Sequence, residues 1–230
     1  MDLSDHRNFR RTIAGAAMIG APLVFVLAEL LHAEFQTEAA KQLTAVSDNT
    51  GRWYAAHVLV LLGLALVVPA FLGLVHLLGR GRAALGHLSL VAFVPGLVAI
   101  AAIAGMELVL WQMAQPSANR DEMVALAERV NESAGTAVVF LVALLFPLAW
   151  LLIGIGLYRA RTVPSWAAAL IALAQPVGFV SELAGGPKAL AVAAQLAFAL
   201  GLIPVGIRVL RQSDADWEPE RPIVPTPATV

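Results

Sequence analysis

The chain has 230 residues, 59% of them hydrophobic and 13% charged, with a net charge of −1 and no cysteine. A soluble domain of this length carries about a quarter charged residues and hides its apolar surface in one core, so a chain with about half that charge has more apolar surface than such a core holds. The missing cysteines exclude disulfides, thiolate catalysis, thioether-linked haem and cysteine-ligated clusters, and with neither a basic balance nor a basic stripe there is no footprint for nucleic acid.

Six uncharged runs follow one another along the chain: Thr12–Ala28, Trp53–Gly79, Ala83–Met106, Ala134–Tyr158, Thr162–Ser181 and Ala189–Ile207. Each is near the length that crosses a bilayer. None alternates with period two, and lipid satisfies no backbone N–H or C=O, so the segments predict helices rather than barrel strands. The expected fold is therefore an all-α, polytopic membrane bundle of six spans, with a short N-terminal segment (1–11), a transmembrane domain (12–211) and a tail (212–230). Arg7, Arg10 and Arg11 before the first run resemble a signal peptide. The apolar stretch continues past Glu29 and five more runs follow, which favours a retained first span.

Ten basic residues fall on one side of this layout (Arg7, Arg10, Arg11, Arg80, Arg82, Arg159, Arg161, Arg208, Arg211, Arg221) and five on the other (Lys41, Arg52, Arg120, Arg129, Lys188). The excess places both termini in the cytoplasm of a cell whose plasma membrane holds the protein. The Arg-rich, Ala/Leu/Val-rich composition suggests a bacterial source. On the outer side, Thr37 to Val46 and Ser117 to Val130 each begin with a capping residue and carry spaced apolar positions, the pattern of short interfacial helices lying over the mouth of the bundle. After Arg211, four acids and four prolines leave too little apolar content to fold.

The first, third and fifth spans each end on the outer side in an acid followed by leucine: Glu29-Leu30, Glu107-Leu108 and Glu182-Leu183. The other three finish inside with glycine, an apolar turn and arginine, so the chain reads as three tandem hairpins. Each span holds one interior proline (Pro22, Pro69, Pro95, Pro147, Pro176, Pro204), and bent helices can enclose a cavity.

A charged side chain at mid-bilayer costs about 2.5–3.5 kcal/mol on insertion, so acids in spans face the bundle interior and have partners. Glu107 lies about 10 Å deep in the third span. Glu29 and His32 share one face of the first helix, and His57 and Glu182 fall at similar levels. Glu29, His32, His57, Glu107 and Glu182 thus form a candidate cation or proton site. Carboxylate oxygen and neutral imidazole nitrogen suit a divalent zinc, iron or manganese ion, and the same groups suit a proton relay. The spacing of Glu29 and His32 matches half of a di-iron motif, whose second copy is missing. His57 and His76 are nineteen residues apart on one helix and point to different faces, which speaks against haem. His76 and His87 read as interfacial, Gln112, Gln175 and Gln195 as interhelical hydrogen-bonding residues, and Trp53, Tyr54, Trp111, Tyr158 and Trp166 as aromatic belts.

The stretch Arg52-Trp53-Tyr54-Ala55-Ala56-His57, with Pro69 and Gly73-Leu74 in the helix behind it, resembles uncharacterised six-helix integral membrane proteins of actinobacteria. The likeness runs from about Arg10 to Arg211 and implies the topology, with no activity to carry over. No nucleophile elbow, phosphate loop, zinc-protease motif or nucleotide fingerprint occurs in the sequence. Three readings follow: a small transporter or cation-binding protein, a structural or regulatory membrane subunit with a protein partner or a second copy, and a metal-dependent membrane enzyme.

Overall fold

The computed structural model describes residues 5–34 and 36–217. Six helices long and apolar enough to cross a membrane follow one another, with no strand among the described residues. The first three are α1 (His6–Leu31), α3 (Thr50–Leu78) and α4 (Ala83–Met113), and between the first two lies the short α2 (Ala39–Asp48). A second short helix, α5 (Arg120–Asn131), precedes the fourth span, which consists of α6 (Ala134–Ala143) and α7 (Leu145–Ala160). The last two spans are α8 (Ser165–Leu183) and α9 (Lys188–Arg211), followed by a single turn, α10 (Asp214–Trp217). The expected all-α bundle of six spans is what the chain forms.

The spans form a closed ring in chain order, each packing on the next and α9 returning to α1. The outer surface of this ring is apolar: Val91 is 70% exposed, Leu141 67% and Leu200 64%. Water does not tolerate a continuous belt of this kind and lipid does, so the bundle is that of an integral membrane protein. Inside the ring, Phe71 stacks on Phe93 at 4.0 Å between ring centres, and Trp150 meets Phe71 and Phe198 edge-on at 5.1 and 4.7 Å. These rings and Leu74, Ile153, Leu157 and Leu202 are buried and plug the half of the bundle nearer His6 and Arg211.

Since helices in lipid gain nothing from hiding apolar faces from each other, close approach of small residues carries the packing. At the α1–α9 crossing a Cβ on Gly206 would lie 2.8 Å from the Gly15 carbonyl oxygen. At the α4–α7 crossing a Cβ on Gly96 would overlap the backbone nitrogen of Phe146. The α6–α7 junction falls at Leu144, three residues before Pro147. The proline ring removes one helical N–H and clashes with the preceding turn, which accounts for the interruption there.

Both ends of the described residues, 5 and 217, lie at one end of the bundle. Arg11 Nε donates to Asp214 Oδ1 at 2.6 Å, and Arg11 Nη1 to the Leu210 carbonyl at 2.8 Å. The Arg11 hydrogen bond, with help from Asn8, holds the Asp214 carboxyl below its ordinary pKa. Trp217 is buried, its ring stacked on His76 at 4.2 Å, while His76 Nε2 donates to the Trp217 carbonyl at 2.6 Å. The tail expected to be without structure from residue 212 therefore begins with a docked helical turn. One aromatic side chain and one acid facing an interior arginine outweigh the polar composition of this short stretch. The rest of that tail, 218–230, lies outside the described residues.

At the opposite end the two expected short helices are present as α2 and α5. Leu43 and Val46 of α2 and Ala127 of α5 are buried against Met113, Ala114 and Trp53. Arg120 ties the two together, donating to the Ala40 carbonyl and Thr44 Oγ1 at 2.9 and 2.7 Å. They make a cap over the loop end, where α4 finishes.

Candidate functional site

Glu29, His32, His57, Glu107 and Glu182 all line one cavity of about 220 Å3 at the loop end of the bundle. Four different spans bring them there, and their similar depths in the sequence carry over into a shared space. The cavity opens where Glu34, Glu182, Gly185 and Gly186 are exposed. Its inner wall is apolar, formed by Phe25, Leu64, Ile100 and Phe146 among others, and Phe146 continues into the aromatic plug below.

His57 sits one turn after Trp53 on α3. Its Nδ1 lies 2.8 Å from the Trp53 carbonyl, and a carbonyl only accepts, so Nδ1 carries the hydrogen. In the neutral ring this leaves Nε2 as a bare acceptor, and it faces Glu107 Oε2 at 4.0 Å. The His57 side chain is 3% exposed and that of Glu107 16%. Oε2 of Glu107 is shielded and has no hydrogen-bond partner. Two acceptors thus face each other across this distance.

The pair is held by Trp53. Its indole N–H donates to the Glu107 carbonyl at 2.8 Å, tying α3 to α4 at the level of the acid. Its ring lies 4.5 Å from that of His57 and 4.9 Å from that of His32, and the two imidazoles are 4.9 Å apart. His32 caps the C-terminus of α1 and bonds the Ala33 carbonyl through Nδ1 at 2.6 Å, so its Nε2 is a second bare acceptor in the neutral ring. Trp53 is fully buried. Its expected place in an aromatic belt is therefore corrected: the cap formed by α2 and α5 covers the start of α3 and turns this position into core. Tyr54, Tyr158 and Trp166 are exposed, as a belt requires.

Lys188 is the site residue that the sequence did not single out. It opens α9 after the turn at Gly185, which has φ +63°, and its ammonium donates to Glu29 Oε1 at 2.7 Å. A lysine at a helix N-terminus opposes the macrodipole, and that misplacement was the available signal that a nearby acid holds it. Beneath, Gln175 Nε2 donates to Gln195 Oε1 at 3.2 Å, linking α8 to α9 as expected, whereas Gln112 is exposed.

Four carboxylates, Glu29, Glu34, Glu107 and Glu182, therefore line the cavity with one ammonium, already paired to Glu29. Among the described residues no three His, Asp or Glu side chains come close enough to hold a metal ion together. The divalent-ion expectation thus has a shared cavity behind it but no ready ligand set, since the faces of the four helices spread the groups around the wall. No protein-family model, no curated protein and no solved structure matches this chain.

Proposed function

We propose that this integral membrane protein binds a cation or a proton reversibly in the loop-end cavity and acts as a small transporter. The observation that carries the reading is the shielded, unpartnered Glu107 Oε2 facing the bare Nε2 of His57 across 4.0 Å. An ionised carboxylate left uncompensated in a poorly solvated site is costly, and the one lysine of the cavity is paired to Glu29 and not to the shielded Glu107. A bound cation or proton compensates Glu107. The cavity is open at one end and closed by the aromatic plug at the other, which suits a carrier with one face accessible. Polar groups that only lock helices together would satisfy one another, as Gln175 and Gln195 do. The test is a melting temperature in detergent that depends on cations or on pH in the wild type and loses that dependence in Glu107→Gln.

The proposal includes an orientation, with the termini in the cytoplasm and the cavity facing out, supported by the ten-to-five division of basic residues. It also includes kinship with actinobacterial six-helix membrane proteins, on the Arg52–His57 segment and the helix layout. In intact cells, single cysteines at Asn49 and Asn119 will react with an impermeant thiol reagent, and cysteines at Gly81 and Ser213 will not. Labelling at Gly81 overturns the orientation.

A further inference from the structure

The inner groups that face the cavity are mostly acceptors: Glu107 Oε2, which has no hydrogen-bond partner, and the two imidazole Nε2 atoms. The spacing of the innermost pair narrows the species that can satisfy them. A single hydrogen bond between a carboxylic acid and an imidazole spans about 2.7 Å, so 4.0 Å is too wide for a shared proton alone. Two ligands on a zinc ion at about 2.1 Å in tetrahedral geometry stand about 3.4 Å apart, so it is also wide for a tetrahedral zinc ion. Two acceptors hydrogen-bonded to one ammonium nitrogen at about 2.9 Å stand roughly 4–5 Å apart. The observed distance lies at the short end of that range.

The remainder of the cavity fits the remainder of such a molecule. An apolar cavity of about 150 Å3 takes up benzene. This one, of about 220 Å3, adds room for a short aminoalkyl arm, and four phenyl groups, Phe25, Phe140, Phe146 and Phe179, line it. A hydrated inorganic ion has no use for that wall, whereas an aromatic or compact apolar body packs on it. We propose that the cavity is a binding site for a primary ammonium ion carrying a benzene-sized apolar body, with the ammonium between Glu107 and His57 and the body against the phenylalanines. This inference rests on the reading of the cavity as a cation site and specifies the cation.

Melting midpoints of the detergent-purified full chain separate the two. Four additives are compared on the wild type: phenethylammonium, 2-phenylethanol (the same body without charge), methylammonium (the charge without the body) and zinc or manganese ions. The expected result is a rise with phenethylammonium at concentrations about tenfold lower than either half-molecule needs, absent in Glu107→Gln. A rise with methylammonium, a metal ion or pH but none with phenethylammonium overturns the inference and leaves the cation site standing. Equal shifts with phenethylammonium in wild type and Glu107→Gln mark micelle partitioning and overturn it too. Midpoints indifferent to every additive and to pH remove both readings.

Discussion

Replacing Gly96 with leucine will abolish assembly of the bundle, seen as loss of the monodisperse peak on size exclusion and of a cooperative melting transition. A side chain at this position meets backbone: besides the Phe146 nitrogen, the Phe146 Cα lies 2.7 Å and the Leu145 carbonyl carbon 2.8 Å from where its Cβ would stand. A clash with a flexible side chain is relieved by a rotamer change. One with backbone moves a helix. Overpacking costs about 1–3 kcal/mol even where neighbours yield, and here α7 must shift beside the Pro147 interruption and carry Phe146 out of the cavity wall. The control is Gly105→Ala on the same helix, with nothing within 4 Å of the added carbon. It will be neutral or slightly stabilising, because alanine is the better helix former by about 1 kcal/mol. Equal tolerance at the two positions would mean that α4 and α7 do not approach this closely.

The second large effect belongs to Trp53. Its truncation to alanine will cost about 3–5 kcal/mol, the range for a buried tryptophan, and will unseat both histidines. The indole touches His32 and His57, ties α3 to α4 through the Glu107 carbonyl and supports the cap formed by α2 and α5. Trp53→Phe keeps an aromatic body and loses the N–H, so it will cost about 1 kcal/mol, the net worth of one hydrogen bond. Chemical or thermal unfolding in detergent reads both. Near-zero cost for Trp53→Ala would return this residue to the lipid interface.

Why Trp53 was misread shows how far the sequence reaches. Arg52-Trp53-Tyr54 at the start of a span satisfies the belt pattern, and Tyr54 is indeed exposed. Its neighbour is core only because a separate segment, α2, folds over it, and no local periodicity encodes that. The spans themselves were legible because lipid imposes a one-dimensional rule, about twenty residues without charge, that acts on each segment separately. The depth of Glu29, His57, Glu107 and Glu182 followed from the same rule. Their convergence needed the rotation of each helix about its axis, which depends on close contacts such as Gly15 with Gly206 and Gly96 with Phe146. Lys188 and Trp217 were missed for a related reason: each finds its partner far along the chain, Lys188 on Glu29 and Trp217 on His76.

The central claim is that the unpartnered acceptors of this cavity take up a positive charge reversibly. A ligand that binds only the folded chain stabilises it by about 2.7 kcal/mol at one hundred times its dissociation constant, a shift of several degrees in a melting midpoint. The most direct measurement is that midpoint for wild type and Glu107→Gln side by side, across added cations and across pH from about 5 to 8. The account predicts a wild-type midpoint that moves with cation or with proton concentration, and a flattened response in the amide variant, which keeps the shape of the side chain and removes its charge. Identical curves for the two proteins under every condition would contradict it, and would leave Glu107 and His57 as polar groups that pack helices together.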